Sequence, residues 1–194
     1  NRDDSVDEIW KFGNGYPFLV ASALYRENPL QYQVVNRGIA GNRIVDLYAR
    51  IKCDVWNEQP DVLSILVGIN DIWHEADFRN GVEQDRFEKV YAMLIEDTLR
   101  RLPNVKIILC EPFVLRGKAT AAQFDKLVEV YGYAKIVKRL TEKYGLHFLP
   151  LQEKFDTAAK KFGAEKYLYD GAHPAVAGAT LIADEWVKLF KSIR

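Results

Sequence analysis

Histidine is scarce in this chain, with three among 194 residues, and one of them stands where acid–base chemistry is within reach. His173 lies in YDGAHPAVAG (169–178), three positions after Asp170 and directly before Pro174. Imidazole as a side-chain type titrates near neutral pH, which suits a general base. Proline disfavours the helical region for the residue before it and itself fits the first turn of a helix. The spacing therefore predicts an imidazole held at a helix mouth. Asp170 can reach back to one ring nitrogen, fix the tautomer and leave the other nitrogen free. The same segment also fits a plain turn at Asp170 and Gly171 followed by a helix start. The segment alone does not choose between the two.

Two further stretches bear on that choice. In GIND (68–71), Gly68 lets the chain turn sharply after a buried strand, and Asn70 offers an amide donor of the kind that stabilises an oxyanion. In GIAG (38–41), Gly41 offers a backbone N–H with no side chain to obstruct it, or simply a flexible turn. His74 follows in what reads as a strand-end loop, either lining a pocket or solvated. His147, inside LHFLP (146–150), reads as a packed strand residue. Trp73 and Tyr169 flank the motifs and fit either an acyl or sugar pocket or aromatic core packing.

The elements that must position these residues alternate along the chain. Helical spacing of apolar residues marks 16–27, 43–57, 83–102, 121–144, 151–162 and 175–191. Strand patterns mark 31–36, 61–68, 105–112 and 146–150. Such alternation predicts an α/β fold with a mostly parallel sheet covered by helices on both faces. Ligands in such sheets bind beyond the carboxyl ends of the strands. NRGIAGN (36–42), GINDIWHE (68–75), FVLRGKA (113–119) and DGAHP are the connections to examine.

Composition narrows the function classes. Lys plus Arg and Asp plus Glu both number 27, so no net charge points to nucleic acid or an anionic membrane. No apolar run approaches the ~20 residues of a membrane span. The length fits one domain over 1–194. Cys53 and Cys110 lack zinc-type spacing and read as buried free thiols, with a disulfide as the alternative. The glycines of FGNGY (12–16) lack dinucleotide-site spacing, and no phosphate-binding loop is present. No signal peptide opens the chain, which reads as cytoplasmic, with secretion left open because residue 1 need not be the natural start.

The order NRGIAGN…VGINDIW…YDGAHP resembles the SGNH (GDSL-type) hydrolases across nearly the whole chain. The stretch GNR-x-x-DL-x-AR with GINDIW is similar to the bacterial branch of acetylxylan esterases and other carbohydrate deacetylases. The resemblance implies a flavodoxin-like three-layer α/β/α fold. It implies ester hydrolysis through a serine, without metal or organic cofactor, on a small-molecule or oligosaccharide ester. By motif, His173 becomes the base, Asp170 its orienting acid, and Asn70 with the Gly41 N–H the oxyanion donors. Beside these, Trp73, His74 and Tyr169 are candidate substrate contacts by position, with the packed or solvated readings still open. Homo-oligomerisation stays open.

The family's first block, a strand followed by Gly-Asp-Ser, has no match here. Ser5 in RDDSVD (2–7) has no apolar strand before it. Ser22 falls in a helical pattern and Ser64 inside a strand. In the family's strand order that first strand lies inside the sheet, between the strands expected at 31–36 and 61–68. The expectation is therefore an N-terminal strand and nucleophile turn preceding this sequence. Competing readings are a lysophospholipase or thioesterase on the same fold, and a non-catalytic carbohydrate-binding relative.

Overall fold

Ile107 and Leu109 pack on one side of their strand, Ile108 and Cys110 on the other, and all four are buried. That period of two, with both sets apolar, describes a strand covered on both faces. It is the middle strand of a parallel sheet. The computed structural model describes residues 9–193. Within them β1 (Val62–Leu66), β2 (Lys106–Cys110) and β3 (His147–Leu149) pair in the order β1-β2-β3. Leu63 lies opposite Ile107, Ile65 opposite Leu109, and Ile108 opposite His147.

Helices form the outer layers. Helices α2 (Ile44–Ile51), α3 (Ile69–Phe78), α4 (Gln84–Arg101) and α6 (Val130–Tyr144) cover one face. Phe87, Tyr91, Leu94 and Ile95 of α4 are fully buried there. Each such side chain contributes about 1.5–3 kcal/mol by leaving water. Helices α1 (Tyr16–Glu27), α7 (Gln152–Phe162) and α8 (Val176–Ser192) cover the other, through Val20, Leu24, Phe155, Ile182, Trp186 and Phe190. The short α5 (Phe124–Leu127) precedes α6. The architecture is the expected flavodoxin-like three-layer α/β/α sandwich with a parallel sheet.

The structure corrects several expectations. Residues 31–36 do not form a strand, and 32–39 carry no regular secondary structure. Their side chains still alternate between exposed and half-buried with a period of two. The pattern for a strand is present, but no strand among the described residues pairs with it, and an unpaired extended segment has no ladder to stabilise it. Likewise β1 pairs with β2 alone among the described residues. The helix expected over 121–144 is broken into a 3-10 turn at Ala121–Gln123, then α5 and α6. Past α2, a π-helical turn at Lys52–Trp56 carries Cys53 into solvent, so only Cys110 of the two free thiols is buried.

Candidate active site

The connection after β2 holds the DGAHP turn by its backbone. Leu115 N–H donates to the Gly171 carbonyl (2.8 Å), and Ala119 N–H to the Asp170 carbonyl (2.9 Å). Thr120, fully buried, donates its hydroxyl to the Leu115 carbonyl (2.6 Å) and accepts the Gly117 N–H (2.8 Å). On the other side Tyr169 N–H donates to the His173 carbonyl (3.1 Å), and Leu168 and Pro174 form an isolated bridge. The turn is thus closed on itself and clamped to 115–120 before α8 begins. Pro174 stands before the N-cap Ala175 of the helix, which starts at Val176, and not in its first turn.

Within this turn Asp170 and His173 meet. Asp170 Oδ2 lies 2.7 Å from His173 Nδ1. Asp170 Oδ1 accepts the backbone N–H groups of His173 (2.8 Å) and Ala172 (3.0 Å). Burial works against ionisation of Asp170, but those two N–H groups and the imidazole outweigh it and hold its pKa below the usual carboxylate value. The Asp170 side chain is 16% exposed and that of His173 56% exposed. The pair therefore presents a ring to solvent from a half-sunk carboxylate. The rings of Tyr169 (5.8 Å, stacked) and Trp73 (6.1 Å, tilted) flank the imidazole.

Trp73 does not sit in a loop. Most of GINDIWHE (68–75), read from sequence as a strand-end connection, belongs to α3, which runs Ile69–Phe78. Gly68 makes the turn from β1 into it with φ +138°, and a Cβ there would lie 2.9 Å from the ring of Pro112. Both facts call for glycine. Asn70, Trp73 and His74 then stand at helical spacing i, i+3, i+4 on neighbouring parts of α3. Asn70 Nδ2 donates one hydrogen to the Asn42 carbonyl (3.2 Å), which leaves its second hydrogen for a ligand. Gly41, at φ +82°, faces His74, whose Nε2 would lie 3.9 Å from a Cβ added there. His74 is half-buried and packs edge-on against Phe78 (5.6 Å). One helix thus touches the imidazole through Trp73 and the Gly41 turn through His74.

Geometry thus brings together a carboxylate-oriented imidazole, a side-chain amide and a glycine-bearing turn at the carboxyl ends of the strands. Such a set can move a proton and stabilise an oxyanion. Ser5 lies outside the described residues. Ser22 is exposed on α1, and Ser64 lies in β1, where it accepts the Trp186 indole N–H (2.9 Å). Two features escaped the sequence reading. One is the 115–120 clamp, seen there only as a connection. The other is Asp71, next to Asn70, which is completely buried. Among the described residues no group of three or more His, Cys, Asp or Glu side chains is arranged to hold a metal ion, and no helix is long and apolar enough to cross a membrane.

Known proteins are similar to this chain. The model of the GDSL-like lipase/acylhydrolase family matches residues 4–181. The chain belongs to that family. An acetylxylan esterase from Geobacillus stearothermophilus is 33% identical over 193 residues, covering 96% of this chain and 85% of that protein. The crystal structure of Axe2, an acetylxylan esterase from the same organism, superposes with a TM-score of 0.80 at 31% identity, covering 91% and 81% of the two chains. A GDSL-like lipase from Parabacteroides merdae superposes with a TM-score of 0.85 at 34% identity, covering 97% and 87%. Catalytic mutants of Axe2 at a serine, an aspartate and a histidine superpose with TM-scores of 0.80, 0.80 and 0.81. In that enzyme the aspartate and the histidine are three positions apart. Family and relatives together make this GDSL-type chain an esterase.

Proposed function

We propose that this esterase removes acetyl groups from a carbohydrate, such as xylan or its oligosaccharides. The carrying observation is the Asp170–His173 pair at 2.7 Å, joined through Trp73 to the helix that bears Asn70. Its spacing equals that of the catalytic aspartate and histidine of Axe2, and relatives that span most of this chain act on acetylated xylan.

In this reading His173 Nε2 takes the proton of a serine hydroxyl as its oxygen attacks the ester carbonyl. The free amide hydrogen of Asn70 and the Gly41 N–H donate to the oxyanion. The tetrahedral intermediate collapses, the C–O bond to the sugar breaks, and His173 returns its proton to the leaving alkoxide. Water then repeats the cycle, releasing acetate and restoring the serine. Asp170 holds the imidazole with Nδ1 protonated throughout. We assign the serine to a strand that pairs with the free edge of β1. The period-two burial of 32–36 and the free edge support that assignment, within a single domain.

Two measurements test this. Acetyl esters should be hydrolysed at least about tenfold faster than octanoyl esters. Equal rates would reject the small-acyl reading in favour of a lipid or thioester substrate. A serine-directed phosphonate should label one serine, located by peptide mass mapping. Labelling at Ser64, or none, would remove the assignment of the nucleophile.

A further inference from the structure

Gly41 and Asn70 come from separate elements, with α2 and β1 between them in sequence. Two donors aimed at one oxygen atom must keep their spacing to a fraction of an ångström, because a misplacement of about 1 Å can cost ~10² in rate. Something must fasten the 38–42 turn to the start of α3. The Asn70 amide itself makes one link, to the Asn42 carbonyl. That group also has to serve the substrate.

Asp71 makes the other link. Its Oδ1 accepts the N–H of Ile44, the first residue of α2 (3.0 Å). Its own carbonyl accepts the Val82 N–H (2.9 Å), which ties down the segment after α3. Arg43 closes the outer side. It binds Asp46 through its backbone N–H (2.8 Å) and guanidinium (2.9 Å), and it reaches the Asn80 carbonyl (2.5 Å). Asp71 has no exposed surface, and its Oδ2 has no hydrogen-bond partner among the described residues. Burying a carboxyl with one oxygen unpartnered is costly. An apolar side chain would pack there without that cost, but it would leave the Ile44 N–H without an acceptor.

We propose that Asp71 is a positioning residue for ester hydrolysis: its buried carboxyl fastens the start of α2 to the first turn of α3 and so sets the gap between the Gly41 N–H and the Asn70 amide. The inference rests on the oxyanion roles given above to Gly41 and Asn70. A fastening of this kind acts on the transition state, where the oxyanion forms, and leaves ground-state binding nearly alone.

The test is a double-mutant cycle on the full protein, with folding checked by thermal melts. Asp71→Leu keeps the approximate shape and removes the acceptor. It should lower kcat about 10- to 100-fold with KM within about twofold. In an Asn70→Ala background the same change should cost less than about threefold, because the donor it positions is gone. Asp71→Asn keeps an oxygen for Ile44 and should stay within about threefold of the parent kcat. A parental kcat in Asp71→Leu, or losses of equal size with and without Asn70, would overturn the proposal. Should Asp71→Leu not fold, a loss of tenfold or more in Asp71→Asn overturns it. If Asn70→Ala alone leaves kcat unchanged, the oxyanion reading fails instead, which is a separate result.

Discussion

Asp170 holds His173 at two points: Oδ1 accepts the histidine's backbone N–H at 2.8 Å, while Oδ2 meets its ring Nδ1 at 2.7 Å. Oδ1 also takes the Ala172 N–H. Two backbone donors therefore fix which side of the carboxylate must be an acceptor. In Asp170→Asn the amide oxygen must face those donors, which turns the NH2 towards Nδ1. The ring then protonates on Nε2 and cannot act as the base. We expect kcat to fall about 10³–10⁴-fold with little change in melting temperature, and His173→Ala to fall by at least about 10³. Steady-state kinetics decides it. An Asp170→Asn enzyme within tenfold of the parent would show that Asp170 does not set the tautomer.

Gly171 makes the second contact that the dyad depends on. Its φ is +105°, and an added Cβ would come within 2.1 Å of the Thr120 hydroxyl, 2.6 Å of the Leu115 carbonyl oxygen and 2.9 Å of the Gly117 nitrogen. All three atoms belong to the clamp, so none can retreat without loosening it. Gly171→Ala should destabilise the fold by about 2 kcal/mol or more and lower kcat as well. Urea denaturation gives the first quantity. An unchanged midpoint would mean that the 115–120 connection yields freely and does not hold the turn.

The layers were legible in the sequence because burial on both faces leaves a plain mark: KIILC and VLSIL are short apolar runs, and α4 repeats its apolar residues at helical spacing. Residues 31–36 carry a true strand pattern, but a pattern cannot say whether a neighbour is present to pair with. The first turn of α3 was hidden because Gly68, Asn70 and Asp71 are turn formers, and local chemistry outvoted the helix. Asp71 is only one letter of GIND in the sequence, and the fold alone buries it. Of the candidate site, Asn70 was visible as a motif after a strand end, Gly41 after a segment with only a strand pattern, and Asp170 with His173 in the connection before the last helix. The clamp was not, because the hydrogen bonds that cross it join backbone groups about 50 residues apart in sequence.

Burial of Asp71 has a consequence for pH. Loss of solvent pushes its pKa up to about 7, against the smaller opposing effects of the Ile44 N–H, its own backbone N–H and Arg43, while Asp46 adds to the rise. In the unfolded chain an aspartate releases its proton near 3.9. Between about pH 4 and pH 7 the folded state therefore holds a proton that the unfolded state has lost, and this group's contribution to stability falls as pH rises through that window. Asp170, with its lowered pKa, acts in the opposite direction and at more acid pH. Asp71→Asn removes the buried titration. Its unfolding free energy relative to the parent should thus climb between pH 5 and pH 7, by up to about 1.4 kcal/mol per pH unit. Urea unfolding of both proteins at several pH values reads the difference directly, and parallel pH profiles would show that Asp71 stays ionised when folded.

The two rings beside His173 should separate by experiment, because they differ in what else they touch. Tyr169 is 58% exposed and stacks on the imidazole at 19°. Trp73 is half-buried and also packs against the core beneath α3. An aromatic contact is worth about 0.5–1.5 kcal/mol, or about 2- to 12-fold in rate. Tyr169→Ala should therefore lower kcat/KM by about that factor and leave the melting temperature nearly unchanged, while Tyr169→Phe, which keeps the ring, should restore it. Trp73→Ala removes core packing as well, and should cost about 1–3 kcal/mol of stability in addition to activity. Kinetics and melts on the three variants test both halves. Full activity in Tyr169→Ala would leave that ring no part in holding either the imidazole or the substrate.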